Sequence, residues 1–529
     1  EVPRDRPLLE SLFVLEAEDA PPARRVLGAP RDLGVAVEHA LALEVRVCRD
    51  GALELALNWA DRVLCAPYAA LLLAQVDAML GAALDAPVDE LPPALARDAA
   101  LVARPLVPSA PAPRYANVAA WAAHHAARTP DAVAVECAGA ELSYAALDAQ
   151  SAALAAALQR FPPRSVVAVA LPRSLATYVC LVGVLRAGMV YLPLDEMLPP
   201  ARRAELVQDS GAVAVLGDEA VPGARLLRPH QVPLRPFAEA APADEAAPAY
   251  LLYTSGSTGR PKGCRLTHGN LAAAIDNFSA AIEDAAPGSL RGARVLARSA
   301  EAFDVHLLEC FLALQAGATV VTMPRAALLA DLGAAMARAA VTHACVVPSL
   351  FYTRGRRPLP ADLPALRVLI VGGEKMADDI ADTWGDAVPV LNAYGPTEAT
   401  IGISCARVRR AMPASEIGSA FRGNAFFVRT PRGYALRGAP GELCIAGTHV
   451  GAGYVGHAAR LDAPFFVADG LRAYATGDRA RLGPAGAEYL GRCGDAQVKV
   501  RGARVELDEV DAAVRAAGAY AHVATLLLT

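Results

Sequence analysis

Residues 251–270, LLYTSGSTGRPKGCRLTHGN, run an apolar stretch straight into a loop whose side chains are mostly hydroxylic, absent or cationic. Such a loop is built to hold phosphate, and it ties the fold to a strand ending where the loop begins. Thr254, Ser255, Ser257 and Thr258 offer hydroxyl donors, Gly256 and Gly259 let main-chain N–H groups approach an anion, and Lys262 adds a point charge. The expected ligand is a nucleoside triphosphate. The Walker spacing G-x-x-x-x-G-K-[ST] does not fit, because counting from Gly256 puts Pro261 at the second glycine and Gly263 at the Ser/Thr position. A flexible Ser/Gly linker does not fit either: it would not emerge from Tyr250-Leu251-Leu252-Tyr253 or carry the stiff Arg260-Pro261-Lys262 stop.

Taken whole, the segment resembles the signature loop of the adenylate-forming superfamily, which includes the amino-acid-activating domains of nonribosomal peptide synthetases, acyl-CoA ligases and luciferases. Further pieces follow in that family's order. In Asn392-Ala393-Tyr394-Gly395-Pro396-Thr397-Glu398 the Tyr394 face suits stacking on adenine, Asn392 can hydrogen-bond the adenine edge, and Glu398 supplies the hard oxygen that Mg²⁺ prefers. The resemblance gives Thr397 a phosphate contact and puts Ala393, Gly373 and Glu374 among the nucleotide-binding positions. Gly441 to Gly447 and Gly451 to Tyr454 resemble a strand-turn segment with a structural role. In Tyr474-Ala475-Thr476-Gly477-Asp478 the family uses the aspartate for the ribose hydroxyls, so Asp478 is the expected ribose ligand. The stretch from Gly491 to Glu506 resembles the interdomain hinge and first strands of the small C-terminal subdomain, with Asp495 at the hinge and Arg492 expected near the ribose.

A chain of 529 residues is too long for one ordinary domain and ample for a large α/β core. A formal charge of −5 leaves no basic footprint, so nucleic acid is not an expected partner. Apolar runs are broken before membrane-spanning length, and no signal peptide or anchor is recognisable. The ten cysteines stand singly, without C-x-x-C spacing, which suits buried reduced thiols in a cytoplasmic enzyme rather than a disulfide scaffold or zinc site.

Residues 1–90 alternate strand-like pieces (Leu12 to Leu15, Ala42 to Val47, Ala52 to Leu57) with an amphipathic helical run from Ala66 to Ala83. They resemble the C-terminal part of a condensation domain, without its His-His-x-x-x-Asp-Gly motif. His124-His125 is a decoy, since Thr129 holds the aspartate position, and it is expected on a helix between Asn117 and Arg128. Residues 91–115 read as a Pro/Ala-rich linker. Strand, helix, strand and helix then alternate over Ala132 to Glu136, Ala145 to Gln159, Val166 to Leu171 and Ala176 to Ala187, the pattern of a parallel sheet wrapped by helices with ligands at the strand carboxyl ends. The expected architecture is an α/β adenylate-forming fold: core 116–491, then a partial small C-terminal subdomain over 492–529.

Within the amino-acid-activating branch an aspartate holds the substrate's α-amino group, and Phe303-Asp304-Val305 matches its position; the bland alternative is an ordinary helix N-cap. Carried over residue by residue, the rest of the pocket wall is Val305, Leu308, Leu350, Ile370, Gly372, Ala393, Ile401 and Gly402. It holds no acid or base beyond Asp304, and Gly372, Ala393 and Gly402 leave volume, which implies a large uncharged side chain. Long apolar or aromatic residues fit, as does an ornithine hydroxylated and acylated on its side-chain nitrogen; the leading segment and the start of the wall resemble ferrichrome-type siderophore synthetases.

The resemblance implies attack of the amino-acid carboxylate on the α-phosphorus of ATP, with Mg²⁺ on Glu398 and with Lys262 and the loop hydroxyls offsetting phosphate charge, then transfer to a phosphopantetheine thiol on a carrier domain of the same synthetase, next to its condensation domain. The family's adenylation lysine belongs to a Gly-Lys motif beyond Thr529, so this chain alone is expected to form adenylate slowly. Two other readings use the same residues: an acyl-CoA or aryl-acid ligase, in which Asp304 would face no amine, and a degenerate module kept for its contacts.

Overall fold

In the computed structural model the chain is described from Asn117 onward except residues 236, 238–243, 256–259, 352–357, 411, 432, 436, 461–463, 484–485, 495–496, 501–502, 508–509, 512, 515–517, 519–524 and 526–529; before Asn117 only residue 107 and the backbone of four strands are described. Gly256, Ser257, Thr258, Gly259 and Asp495, and the expected helix Ala66 to Ala83, lie outside the described residues.

The chain forms two compact units: Glu1–Arg104 with Phe426–Cys444 and Gly477–Gly491, and Pro105–Ala425 with Ile445–Thr476 and Arg492–Thr529. In the first, Ser11–Ala17, Leu41–Val47, Leu53–Trp59 and Arg25–Val26 lie side by side in that order in one sheet. Three of these cover the strand-like pieces expected from the sequence.

The second unit is built on two large sheets. One orders its strands Arg225–Leu227, Ala214–Gly217, Val166–Ala170, Val190–Pro193, Pro248–Thr254, Lys262–Thr267 and Gly453–Val455. The other orders Ser404–Arg407, Val390–Tyr394, Val368–Gly372, His343–Val346, Arg294–Leu296, Thr319–Thr322, Val133–Cys137 and Ala140–Ser143, parallel except at its two ends.

Alternation along the strands assigns each face. Val167 and Val169 join the same core as Val295, Val320, Ile370 and Leu391, whereas Ala168 packs with Val190 and Val215 on the far side of the first sheet. Leu369, Val371 and Val390 face a third core around Trp384 and Phe351. The largest core is therefore sandwiched between the two sheets. Helices in that layer must be apolar all round, and Leu175–Arg186 and Val305–Ala316 are buried from Thr177 to Leu185 and from His306 to Leu314. Strands and helices over residues 133–186 follow the alternation expected from the sequence, each within a residue or two of its predicted bounds.

His124 and His125 sit on the helix Ala120–Arg128, and His125 Nε2 lies 3.2 Å from the Gln315 carbonyl, a packing contact. The described cysteines are free thiols, with Cys180, Cys264, Cys310, Cys345 and Cys444 buried. Among the described residues no helix is long and apolar enough to cross a membrane.

The helices Tyr144–Leu158 and Leu175–Arg186 touch through Gly183, where a Cβ would stand 2.9 Å from Leu154 Cδ2 and 3.1 Å from Leu154 Cβ. Gly183→Val is expected to lower stability by about 1–3 kcal/mol through overpacking, read as a lower urea midpoint at unchanged m-value.

Candidate active site

The phosphate-loop stems are neighbouring strands of the first sheet. Pro248–Thr254 pairs in parallel with Val190–Pro193 at Tyr250↔Tyr191, but antiparallel with Lys262–Thr267, so that Thr254 and Lys262 face each other across the hairpin. The loop therefore leaves the carboxyl end of a strand, as the sequence suggested, and returns at once alongside it. On the other side of Lys262–Thr267 runs Gly453–Val455, with Cys264 opposite Tyr454. Lys262 Nζ lies 6.0 Å from the centre of the Tyr454 ring.

Tyr454 reaches toward the second sheet. Its hydroxyl donates to Glu398 Oε1 at 2.8 Å, and both residues are buried. Glu398 sits on the one-turn helix Thr397–Ala399, just past the strand Val390–Tyr394. Burial, with the Glu398 carboxylate adding to it, pushes the Tyr454 phenol far above the ordinary range, so Tyr454 donates at any working pH. The segment expected to be purely structural thus contributes a direct hydrogen bond to the expected Mg²⁺ residue. Among the described residues no group of three His, Cys, Asp or Glu could form a closed metal cage. A single buried carboxylate suits Mg²⁺, which keeps waters and binds through one or two carboxylates plus substrate phosphates.

Asp304 occupies the N-cap position of Val305–Ala316 yet makes no capping bond. Its carboxylate, 6% exposed, instead accepts the Ile401 N–H at 3.1 Å on Oδ2. Burial raises its pKa from 3.8 to about 6, opposed by the Ile401 N–H and the Thr397 hydroxyl, with Glu398 adding to the rise. The helix behind it is pinned by Glu309, wholly buried, which accepts from Arg298 N at 3.1 Å, Ser299 N at 3.0 Å and Ser299 Oγ at 2.8 Å. Neither Glu309 nor Tyr454 was singled out from the sequence. Nothing in a lone Glu or Tyr marks it until the fold brings its partner near.

The wall converges. Gly372 is in register with Ala393, and Ile370, two residues earlier, shares their face. Leu308, Ile370 and Ile401 belong to the inter-sheet core, with Val305 and Ala393 packed against it; the side chain of Leu350 lies outside the described ones. A Cβ on Gly402 would stand 2.5 Å from Phe278 Cζ, and one on Gly372 would stand 2.9 Å from the Ala393 carbonyl oxygen. Along the Cβ direction, then, a phenyl ring occupies the space at Gly402 and the paired strand the space at Gly372.

Of the remaining expected residues, Asn392 is 3% exposed and donates one Nδ2 hydrogen to the Glu416 carbonyl at 2.8 Å. Tyr394 ends its strand half-buried, Gly373 is exposed at φ +83°, and Glu374 Oε2 accepts from Ser349 N at 3.2 Å. Arg492 Nη1 donates to the Thr476 carbonyl at 3.2 Å. Asp478, 6% exposed, lies on Leu471–Gly483 in the part belonging to the first compact unit.

Comparison with known proteins gives the family. The AMP-binding enzyme family matches residues 122–455, more than half of the chain, and the chain belongs to it. It is 41% identical to a ferrichrome siderophore peptide synthetase of Mycosarcoma maydis over 98% of this chain and 14% of the relative. It is 36% identical to the nonribosomal peptide synthetase sidC of Aspergillus fumigatus over 91% of this chain and 11% of that protein. The chain thus spans less than one-sixth of the length of these relatives. Among solved structures, holo-PA1221, described as a nonribosomal peptide synthetase protein containing adenylation and PCP domains, superposes with a TM-score of 0.65 and 27% identity over 75% of this chain and 72% of its own. The fold is the adenylate-forming one, and the chain is an adenylating ligase of that family.

Asp304 carries a linkage consequence. Its proton is held more tightly folded than unfolded, so its contribution to stability is full below pH 3.8 and is lost as pH rises through about 6. Asp304→Asn, which keeps an acceptor for Ile401, is expected to stabilise the ligand-free protein by on the order of 2 kcal/mol at pH 8, with the gain disappearing toward pH 4, in urea titrations at both pH values.

Proposed function

We propose that this chain activates an amino acid with a large uncharged side chain as its aminoacyl-AMP, for loading onto a phosphopantetheine carrier in nonribosomal peptide synthesis. The observation that carries this reading is the Asp304 carboxylate, buried, free of a capping role, and held by the Ile401 N–H beside the apolar wall. One of its oxygens is oriented by the protein, and an α-ammonium group would offset the cost of the buried charge. A carboxylate substrate without an amine would leave that cost in place, which argues against the acyl-CoA and aryl-acid alternative.

Lys262 and the hydroxyls of Thr254, Ser255, Ser257 and Thr258 would take the triphosphate, and Glu398 would hold Mg²⁺ while Tyr454 fixes its orientation. Bound there, Mg²⁺ would neutralise phosphate charge. Arg492 would serve the ribose, with Tyr394, Asn392 and Ala393 at the base, and Asp495 would act as the hinge. The carboxylate attacks the α-phosphorus, the α–β phosphoanhydride bond breaks, and pyrophosphate leaves with its electron pair. The apolar wall supports an uncharged side chain. Likeness to siderophore synthetases supports N5-acyl-N5-hydroxyornithine, a long neutral side chain, as the member of that class to test first.

Calorimetric titration with non-hydrolysable aminoacyl-sulfamoyl adenosines bearing aromatic, aliphatic, cationic and acyl-hydroxyornithine side chains tests this. Tight binding of one bulky neutral analogue is expected, with a cationic analogue at least about 100-fold weaker for want of a counter-charge. Preference for the cationic analogue would contradict the reading. Lys262→Ala is expected to weaken ATP binding by about tenfold or more in the same titration, from loss of a charged phosphate contact.

A further inference from the structure

Between the strands Val390–Tyr394 and Ser404–Arg407 the chain makes an excursion in which Thr400 and Ile401 adopt φ of +54° and +69°. Two successive non-glycine residues in the left-handed region, both of them β-branched, persist only where surrounding contacts hold them. Most of those contacts come from one residue. The Thr400 hydroxyl donates to the His449 carbonyl at 2.6 Å. His449 Nδ1 lies 2.9 Å from the Gly402 carbonyl oxygen, and Nε2 lies 3.0 Å from Asn277 Nδ2, whose amide also reaches the Arg422 carbonyl at 3.2 Å. The His449 N–H is in turn fixed by Asn424 Oδ1 at 2.9 Å, and its ring is wholly buried.

A carbonyl can only accept, so Nδ1 carries the proton and Nε2 accepts from the Asn277 amide. Burial pushes the imidazole pKa down to about 4, against the pull of the Gly402 and Ala273 carbonyls, so this neutral tautomer is the working form. His449 thus brackets Ile401, holding the residue before it by main chain and the residue after it by side chain. Ile401 is the residue whose N–H orients Asp304.

We propose that His449 is a positioning residue for substrate recognition: through the strained Thr400-Ile401-Gly402 turn it sets the direction of the Ile401 N–H, and so the orientation in which Asp304 meets the substrate's α-amino group. This rests on the amino-acid-activating reading above. Its hydrogen bonds run to Thr400, Gly402, Asn277 and Asn424, on the amino-group side of the site. Loss of its Nδ1 donor therefore acts on the amino group and not on ATP.

The test compares the wild-type chain with His449→Leu, His449→Asn and His449→Gln. Each is titrated with ATP, with an aminoacyl-sulfamoyl adenosine, and with its counterpart lacking the α-amino group. An asparagine amide can donate where Nδ1 does, whereas a glutamine amide reaches the Nε2 position. His449→Leu and His449→Gln are expected to bind the aminoacyl analogue about tenfold more weakly, the worth of one buried hydrogen bond, and to lose discrimination against the amine-free analogue. ATP binding should stay within about twofold, and His449→Asn should retain most of the discrimination. If leucine is not tolerated, the contrast between asparagine and glutamine decides. Equal weakening toward ATP and the aminoacyl analogue, or undiminished discrimination in His449→Gln, overturns the inference while leaving the activity intact. Wild-type protein that fails to prefer the amine-bearing analogue overturns the activity reading and this inference together.

Discussion

The hydrogen bond from the Ile401 N–H to Asp304 Oδ2 joins the two halves of the site: the head of a buried helix and a strained turn at the end of the second sheet. A buried carboxylate is costly unless hydrogen-bonded or paired, and this one has the Ile401 amide and the Thr397 hydroxyl but no cation among its named neighbours. The fold maintains that arrangement by anchoring both sides. Glu309 ties the helix to residues 298–299, and His449 ties the turn to the segment after residue 447. On the proposed reading, a positive group would meet this carboxylate with much of the orientation cost already met.

A second group of charges follows the same logic with the sign reversed. Lys262, the Tyr454 ring and the Glu398 carboxylate form a connected series from the phosphate-loop stem to the end of the second sheet. The Tyr454 side chain meets both, the cation through its ring and the carboxylate through its hydroxyl. On the proposed reading, Lys262 would meet phosphate oxygens and Glu398 a hard cation. Both groups depend on the excursion of residues 395–403, since Thr397 and Glu398 lie near its start and Ile401 near its end. Its close folding requires glycine at positions 395 and 402, where a Cβ on Gly395 would stand 2.5 Å from the Gly402 Cα.

Much of this was legible in the sequence. The alternation over residues 133–186 located strands and helices closely, because each element carries its own periodicity. Lys262 stood out in its hydroxyl-rich loop, whereas Glu398 and Asp304 were named through motifs that resemble the family's. What could not be read depends on packing between segments far apart in sequence. Nothing beside Gly402 shows that Phe278, more than a hundred residues earlier, occupies the space along its Cβ direction. Tyr454 looks like strand filler until Glu398 is found 2.8 Å away, and Asp304 looks like an N-cap until its bond is found to go elsewhere. His449 gave no signal at all, being a single histidine between two strands with no partner of recognisable spacing.

The account turns on Asp304 meeting an amine. The most direct measurement is the dissociation constant of the wild-type protein for two sulfamoyl adenosines that share one side chain and differ only in the α-amino group, each at pH 7.5 and pH 5. The account predicts that the amine-bearing compound binds at least about tenfold more tightly at pH 7.5, and that the preference shrinks at pH 5 as Asp304 takes up its proton. Equal affinity for the two compounds at pH 7.5 would contradict it.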